Sequence, residues 1–482
     1  MHLFNIAPFC SLFEYCRMPK KKKFIIPELE ILSYAAEGKC IGRYQDKIVF
    51  VEGVVPGDVA EVFVHKNKKD WAEAKCNKVV KPSAQRQVPF CAHFEDCGGC
   101  KWQMLPYPQQ LLYKDQQVRD QLQRIGKVQV QEYLPIVGAE SDRLYRNKLE
   151  FTFSTKRYLN RRDLESGLSF DQPVLGFHAP RLFDKVIDIE TCHLQPEPSN
   201  SIKNFVRSYA LKNQLSFYDI REHQGLLRNL MIRVATSGQV LVNLVFGENQ
   251  PEHIFPLLDT LFDQGQISSL HYTINTKLND SLYDQNIIHY RGSQVIEEKL
   301  EDFVFDISPK SFFQTNTRQA ENLYRVARDM ANLQPGDTLY DLYCGTGSIG
   351  IFMSKHCARI IGVETIEDAV KDARINAEKN QVKDALFFAG DVIKICDDHF
   401  FAKHGRPDVI VVDPPRAGCH DDLLNKLLHI RARTIVYVSC NPATQARDLQ
   451  RLSEVYHCTK SQAVDMFPHT HHVENVVKLE LK

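Results

Sequence analysis

Cys440 is the residue whose type and position suggest chemistry most directly. It follows an apolar run at 434–438 that is typical of a buried strand, and it precedes Asn441-Pro442, which would end that strand. A thiolate in such a place is a nucleophile that can form a covalent intermediate. Because most cysteines are buried packing residues, the position alone leaves that alternative open.

Glu474 is the candidate for a general base. It lies at the start of the last predicted strand, directly after the polar segment 469–472 and Val473. A carboxylate beside an apolar pocket has its pKa raised toward neutrality, and it can then remove a proton at physiological pH. The alternative is an ordinary glutamate on the surface.

A cluster of cysteines suggests an inorganic centre. Cys91, Cys97 and Cys100 place three thiols within ten residues, and the glycines at 98–99 let the backbone fold closely around them. Cys192 is the best fourth ligand. Four thiolates suit either a [4Fe–4S] cluster or a structural zinc ion, and the spacing alone does not separate the two. Unrelated reduced thiols are the remaining alternative.

The elements that would position Cys440 and Glu474 begin near Asp337. From there strands and helices alternate, which predicts a doubly wound parallel sheet, and the last two strands are expected to form an antiparallel edge. The predicted strands are 338–343, 359–363, 385–389, 408–412 and 434–438, then 462–466 and 473–481; the predicted helices are 366–380, 421–430 and 443–452.

The carboxyl ends of these strands are polar, and ligands bind at that edge of an open parallel sheet. The first strand runs into the glycine turn 341–348, the second ends at Glu364, and the third at Asp391. The turn permits close approach of a ligand, Glu364 is placed to accept hydrogen bonds from ribose, and Asp391 can meet an adenine edge. The pattern predicts a nucleoside cofactor, although it lacks the third glycine of the dinucleotide fingerprint.

The fourth strand ends in Asp413-Pro414-Pro415-Arg416. An aromatic residue after Asp-Pro-Pro would indicate methylation of an amino group, and Arg416 in its place points away from that reaction. A thiol beside a methyl donor suits carbon 5 of uracil instead. Addition of the Cys440 thiolate to carbon 6 would make carbon 5 nucleophilic, and a base would then remove the carbon 5 proton.

These motifs resemble the uracil-5 RNA methyltransferase family, closest to the branch that modifies 23S ribosomal RNA and carries an iron–sulfur cluster. The resemblance covers nearly all of residues 24–482. Its motifs are the segments 145–148, 308–314, 341–347, 413–418 and 439–442.

The resemblance implies a role for each candidate residue. Cys440 would attack, Glu474 would take the proton, and S-adenosyl-L-methionine would supply the methyl group. A [4Fe–4S] cluster would be bound by Cys91, Cys97, Cys100 and Cys192. The pocket for cofactor and uracil would be lined by Gln314, Tyr343, Ser348, Glu364, Asp391 and Asp413. Ser348 stands where the family has asparagine, and Asp391 where it has an amide.

The domain organisation follows from the same patterns. Residues 1–23 are expected to be a disordered extension, and 24–84 an OB-like β-barrel that resembles the RNA-binding TRAM domain. A mixed α+β central domain with the cluster would span 85–305, and its predicted helix near 107–126 would pack on the catalytic domain, 306–482. In the barrel, phosphate contacts are expected from Lys66, Lys68 and Lys69.

Composition limits the location of the protein. A chain of 482 residues with 25% charged residues is an ordinary globular protein of two to four domains, and it has no apolar run long enough to span a membrane. Its 14 cysteines are too dilute for a disulfide scaffold. We therefore expect a cytoplasmic protein without a membrane partner, and a monomer.

Two alternatives remain at this point. The first is a uracil-5 methyltransferase of tRNA, which would share the catalytic end; the barrel and the cysteine cluster favour 23S ribosomal RNA, because tRNA-specific relatives generally lack both. The second is a metal-containing RNA-binding protein whose methyltransferase fold is inactive. Both predict an RNA partner, and in either case the target nucleotide must be unpaired or extruded from its helix.

Overall fold

The computed structural model describes residues 23–282 and 284–482, and the expected N-terminal extension lies outside them except for Lys23. The chain forms two compact units that divide between Arg86 and Gln87.

The first unit is a closed β-barrel, as the sequence predicts. Its strand order is β1-β2-β3-β5-β4. Alternate side chains of the fourth strand, Ala60, Val62 and Val64, are fully buried, since successive residues of a strand point to opposite faces. The strands are β1 (Phe24–Tyr34), β2 (Cys40–Tyr44), β3 (Lys47–Glu52), β4 (Val59–Asn67) and β5 (Trp71–Lys81).

A buried carboxylate fixes the segment that follows β5 to the barrel. Asp58 is inaccessible to solvent and forms an ion pair with Arg86 at 2.6 Å. Its two oxygens also accept hydrogen bonds from the backbone N–H groups of Val55 and Ser83, both at 2.8 Å. Because Asp58 satisfies three donors from two segments, it joins the turn before β4 to the chain that leaves β5.

The second unit begins with the cysteine cluster and a long helix. The helix is preceded by Pro106 and buries Gln110, Lys114 and Val118, which share one face because they are four residues apart. A π-helical turn, Gln121–Ile125, extends it. The elements are α1 (Phe94–Cys97), α2 (Tyr107–Asp120) and β6 (Val130–Val137).

A mixed sheet with three helices follows. In the described part of the chain it has seven strands in the order β13-β12-β11-β10-β7-β8-β9. The strands are β7 (Lys148–Lys156), β8 (Asp171–His178), β9 (Val186–Asp188), β10 (Leu227–Val234), β11 (Val240–Phe246), β12 (Ser269–Ile274) and β13 (Ile287–Gly292). The helices are α3 (Arg161–Glu165), α4 (Ser199–Lys212) and α5 (Pro251–Phe262).

The remainder of the chain is a hairpin and a doubly wound sheet. The hairpin strands are β14 (Ile296–Leu300) and β15 (Phe303–Ile307). The sheet strands are β16 (Thr338–Leu342), β17 (Arg359–Glu364), β18 (Ala385–Ala389), β19 (Val409–Val412), β20 (Thr434–Ser439), β21 (Tyr456–Val464) and β22 (Glu474–Leu481). The helices are α6 (Thr317–Ala331), α7 (Ser348–Met353), α8 (Glu367–Lys379), α9 (Val392–Ile395), α10 (Asp398–His404), α11 (Asp421–Ile430) and α12 (Pro442–Leu452).

The sheet confirms the predicted fold class and corrects its edge. Among the described residues its order is β18-β17-β16-β19-β20-β22-β21-β6, and β16 to β20 are parallel. The last two strands are antiparallel, as expected, but they do not form the edge. The edge is β6, which pairs in parallel with β21 although it lies more than 300 residues earlier in the sequence.

Among residues 23–282 and 284–482, no helix combines the length and the apolar character needed to span a bilayer.

We predict that Asp58→Ala destabilises the barrel by about 2 kcal/mol, because three donors lose their buried acceptor. Hydrogen exchange followed by mass spectrometry should show amides of β4 exchanging about 30-fold faster. Asp46→Ala, at an exposed turn, is the control. Equal exchange in the two variants would contradict the prediction.

Candidate active site

The site is built at the carboxyl end of the parallel strands, and its first part is a glycine turn. Gly345 has a φ of +53°, and no atom lies within 4 Å of the position that a Cβ would take there. Its N–H donates to Glu364 Oε2 at 3.1 Å, and Oε1 of the same carboxylate accepts from Ile366 N at 3.0 Å. Glu364, at the end of β17, thus fixes the glycine turn, and the space beside Gly345 is open to a ligand.

Below the turn lies a buried carboxyl group with spare capacity. Asp341 Oδ2 accepts a hydrogen bond from Gly350 N at 2.9 Å, whereas Oδ1 is buried and has no partner among the described residues. Burial raises the pKa of Asp341 to about 7, and the Asp413 carboxylate acts in the same direction. A ligand donor at the turn would satisfy this acceptor.

The other predicted cofactor residues surround the turn. Asp391 ends β18 and caps α9, accepting from Ile393 N at 2.9 Å. Ser348 begins α7, and its hydroxyl hydrogen-bonds the Tyr324 hydroxyl at 2.9 Å. Burial raises the pKa of the half-buried Tyr343 to about 12, and the charges of Asp391 and Glu364 contribute. These interactions place Tyr343, Glu364 and Asp391 around one space.

Asp413 lies between the turn and the predicted nucleophile. Removal from water raises the pKa of its carboxyl group to about 7. Its charge acts on Asp341 on one side and on both Cys440 and Glu474 on the other. The end of β19 therefore connects the two halves of the site.

Cys440 follows β20 directly and is half-buried. Burial and the nearby carboxylates of Glu474 and Asp413 raise the pKa of its thiol to about 11, and the charge of the Arg416 guanidinium opposes them. In the free protein the thiol is therefore mostly protonated at pH 7, and Arg416 is the group that favours the thiolate.

Glu474 is the neighbour of Cys440 across the sheet. Ser439 pairs with Asn475 in the antiparallel register of β20 and β22. Cys440, which follows Ser439, therefore lies opposite Glu474, which precedes Asn475. Glu474 is 6% exposed. Burial raises its pKa to about 8, Asp413 adds to the effect, and Arg416 reduces it. The structure thus brings together the predicted nucleophile and the predicted base.

Gln314 is held through its backbone and not through its side chain. It lies before α6, where its backbone carbonyl accepts from Asn147 Nδ2 at 2.9 Å. Within residues 23–282 and 284–482 its side-chain amide makes no hydrogen bond to the protein, so it is available to a ligand.

Three groups at the site were not assigned from the sequence. In the sequence Arg416 only replaces an aromatic residue, whereas in the structure its guanidinium lowers the pKa of the Cys440 thiol. The signal in the sequence is its place in the turn that follows β19. The rings of His471 and His472 lie 4.1 Å apart, and burial lowers their pKa values to about 3 and about 4. Both are neutral at pH 7 and add no charge to the site.

The four predicted ligand cysteines are neighbours of one another. The charges of Cys91 and Cys192 act on both Cys97 and Cys100. Burial raises the pKa of Cys97 to about 11 and that of Cys100 to about 12, so four thiolates would need a cation between them. In the described part of the chain, no three His, Cys, Asp or Glu side chains are arranged to hold a single metal ion.

The lysines expected to meet RNA differ in their surroundings. Lys66 forms an ion pair with Glu73 at 3.0 Å and lies 4.7 Å from the centre of the Trp71 ring. Lys68 and Lys69 are exposed at the turn between β4 and β5.

Comparison with known proteins agrees with this geometry. The family model described as tRNA (uracil-5-)-methyltransferase matches residues 233–392 and 398–482, slightly more than half of the chain. The chain belongs to this family. The match confirms the resemblance to uracil-5 RNA methyltransferases, whereas the 23S ribosomal branch stays a prediction.

Curated relatives match this methyltransferase over almost its whole length. An uncharacterized RNA methyltransferase of Bacteroides thetaiotaomicron is 48% identical over 453 residues, which are 93% of this chain and 100% of the relative. One of Porphyromonas gingivalis is 47% identical over 460 residues, 94% of this chain and 99% of the relative. These relatives support the assignment as an RNA methyltransferase.

A solved structure shares the fold. The tRNA (uracil-54, C5)-methyltransferase of Pyrococcus abyssi, in complex with S-adenosyl-L-homocysteine, aligns with a TM-score of 0.70 and 28% identity. The alignment covers 94% of this methyltransferase and 100% of the archaeal chain.

We predict that Glu474→Gln stabilises the protein increasingly as pH rises from about 5 to about 9. The native carboxyl group, with a pKa of about 8 against an ordinary 4.5, holds its proton more tightly than the unfolded chain does. The stability it contributes is present below pH 4.5 and is lost as pH rises through 8. Melting temperatures of wild type and variant should diverge across this window, and a constant difference would contradict the prediction.

Proposed function

We propose that this methyltransferase transfers a methyl group from S-adenosyl-L-methionine to carbon 5 of a uridine in RNA through a covalent bond between Cys440 and carbon 6 of the base. The observation that carries the proposal is the pairing of the half-buried Cys440 with a buried glutamate of raised pKa, beside a glycine turn with open space. Few reactions other than addition followed by proton removal need both groups together.

The residues at the turn fit S-adenosyl-L-methionine. Gly345 leaves space for a nucleoside, Asp341 Oδ1 has an unused lone pair, and Glu364 and Asp391 can accept hydrogen bonds from ribose and adenine. The archaeal relative binds the demethylated form of this cofactor. When bound, the cofactor supplies an electrophilic methyl group.

Cys440 begins the reaction. The thiol first loses its proton to water, and the Arg416 guanidinium favours the thiolate that results. The thiolate adds to carbon 6 of uracil, and the ring electrons pass to the carbon 4 carbonyl to give an enolate. Gln314 and Asp413 are the groups placed to polarise that carbonyl or the adjacent imide, and Asp413 can donate a hydrogen bond because its pKa is about 7. Carbon 5 becomes nucleophilic as a result.

Glu474 ends the reaction. Once carbon 5 carries the new methyl group, its proton must leave before the ring can regain its double bond. A carboxylate with a pKa of about 8 is a far stronger base than an exposed glutamate. Proton transfer to Glu474 returns the electrons to the carbon 5–carbon 6 bond and expels the Cys440 thiolate.

The RNA target has two candidates. The barrel and the cysteine cluster favour 23S ribosomal RNA, which we propose first. The alignment with the archaeal enzyme, named for uracil 54 of tRNA, favours tRNA, and at 94% coverage it extends into the barrel unit. The barrel is therefore a weaker argument for ribosomal RNA than the sequence alone suggests.

The domain roles follow from the same proposal. We assign the barrel at 24–84 to RNA binding as a TRAM domain, supported by the exposed Lys68 and Lys69. The central domain, 85–305, would hold the cluster, and 306–482 would catalyse. Cytoplasmic location and a monomeric state stay predictions.

We also propose that Cys91, Cys97, Cys100 and Cys192 bind a [4Fe–4S] cluster. The donor set is entirely sulfur, which suits iron–sulfur chemistry. Burial raises the pKa of Cys97 and Cys100, so thiolates there need the positive charge of a metal centre beside them.

We predict that Cys440→Ala abolishes both 5-methyluridine formation and covalent trapping by RNA that contains 5-fluorouridine. The matched control is Cys357→Ala, because burial raises the pKa of both thiols to about 11 and Cys357 precedes β17 at the opposite end of the strands. Retained methylation in Cys440→Ala would contradict covalent catalysis. Loss in both variants would do the same, since the effect would not be specific to Cys440.

The cluster gives a separate prediction. Protein purified without oxygen should be brown and contain about four iron atoms per chain, because four thiolates each ligate one iron of the cluster. Cys192→Ala should lose most of this iron. Colourless protein with stoichiometric zinc would contradict the assignment.

The target can be decided by mapping 5-methyluridine. Ribosomal and transfer RNA from a strain that lacks the gene should be compared with RNA from the parent strain. Loss of one or more modified uridines in 23S RNA is the expected result, and loss confined to tRNA would overturn the ribosomal assignment.

A further inference from the structure

The loop at 465–473, which leads directly into Glu474, is held by an unusual number of buried polar contacts. Gln110 is fully buried in α2, and its amide oxygen accepts from His469 N at 2.8 Å. Its amide nitrogen lies 3.1 Å from His469 Nδ1. His469 itself has a φ of +65°, a conformation that a residue with a side chain seldom adopts without support.

The segment that carries Cys100 binds the same residue. The backbone N–H groups of Lys101 and Trp102 both donate to the carbonyl of His469, at 2.7 and 3.0 Å. Gln110 Nε2 also reaches the carbonyls of Trp102 and Leu105, at 3.1 and 2.8 Å. The chain that follows the third cysteine is thereby fixed to the loop.

The segment that carries Cys192 reaches the loop by a second route. Leu144 N donates to the carbonyl of His193 at 3.0 Å, and Arg146 N to that of Leu194 at 2.7 Å. Between them, the hydroxyl of Tyr145 donates to the carbonyl of Pro468 at 3.0 Å. The segment that carries Cys100 and the segment that carries Cys192 therefore both bind to two adjacent residues of the loop, Pro468 and His469.

The start of the loop is anchored independently. Lys114 and Asp465 are both inaccessible to solvent and form an ion pair at 2.6 Å. Lys114 also donates to the carbonyl of Phe467 at 3.1 Å. A buried ion pair is costly to form and adds little net stability, so its value lies in fixing one geometry.

We propose that Gln110 and Tyr145 are positioning residues that hold Pro468 and His469, and through them Glu474, in register with the two segments that carry the four cysteines. The inference rests on the proposed function in taking Glu474 as the base. Ordering of the cysteine segments would then restrict the position of Glu474 through backbone hydrogen bonds to the loop. No contact between the cysteines and the substrate is needed.

The direct test is hydrogen exchange of the full-length protein, read by mass spectrometry on a peptide that covers 465–473. Tyr145→Phe removes only the hydroxyl that binds Pro468, and we expect about tenfold faster exchange in this peptide, the effect of one lost buried hydrogen bond. Tyr290→Phe is the matched control, because Tyr290 lies in β13 and its hydroxyl donates to Asp259 of α5, away from the loop. Unchanged exchange in Tyr145→Phe, or faster exchange throughout the protein, would overturn the proposal.

A second pair of variants tests the link through Gln110 to the segment that carries Cys100. Gln110→Ala should accelerate exchange in the same peptide, whereas Gln116→Ala, on the exposed face of α2, should not. Cys100→Ala, in protein purified without oxygen, should resemble Gln110→Ala. Wild-type exchange of the loop in either Gln110→Ala or Cys100→Ala would overturn the link between the cysteine segments and the loop.

Kinetics separate positioning from general stability. In Tyr145→Phe we expect kcat to fall about tenfold while KM for RNA stays unchanged, and the share of enzyme bound covalently to RNA to rise, because proton removal follows formation of the adduct. A fall in kcat without more adduct would overturn the inference. A different result would contradict the proposed function: Glu474→Gln would keep full methyltransferase activity, whether or not hydrogen exchange in the loop changes.

Discussion

Three carboxyl groups are withdrawn from water at the site, two of them beside the Cys440 thiol, and the chemistry of the site depends on that arrangement. Asp341, Asp413 and Glu474 come from three different strand ends, and burial raises the pKa of each to 7 or 8. Separated in water, all three would be ionised at pH 7 and none could donate a proton. Withdrawn from water, all three titrate near neutral pH, and the Arg416 guanidinium lowers the pKa of Glu474 and of the Cys440 thiol.

This arrangement needs a rigid support, and the helix after the nucleophile provides much of it. The side chains of Asn441 and Thr444 donate to the carbonyl of Arg416 at 3.0 and 3.2 Å. Asp448, fully buried in the same helix, accepts from Cys419 N and from the Tyr437 hydroxyl, both at 2.7 Å. These hydrogen bonds join the turn after β19 to the helix after Cys440, which holds the backbone of Arg416 close to the nucleophile.

The catalytic sheet could be predicted because its strands are short apolar runs followed by polar residues, a pattern that burial on both faces imposes. The edge strand β6 could not, since Val130–Val137 is half-exposed and its partner β21 is distant in sequence. Cys440 and Glu474 were predictable from their positions at strand ends. Arg416 and the pair of Lys114 with Asp465 were not, because a charge is normally placed on the surface and only the folded chain shows which charges are enclosed.

The proposed mechanism requires carbon–sulfur bond formation at Cys440, with Glu474 acting afterwards. The decisive measurement is mass spectrometry of Glu474→Gln after incubation with natural RNA and S-adenosyl-L-methionine, followed by digestion of protein and RNA. The expected product is a peptide that contains Cys440 joined to a uridine nucleotide that already carries the added methyl group. Free 5-methyluridine at the wild-type rate, or a nucleotide attached to a different residue, would contradict the mechanism.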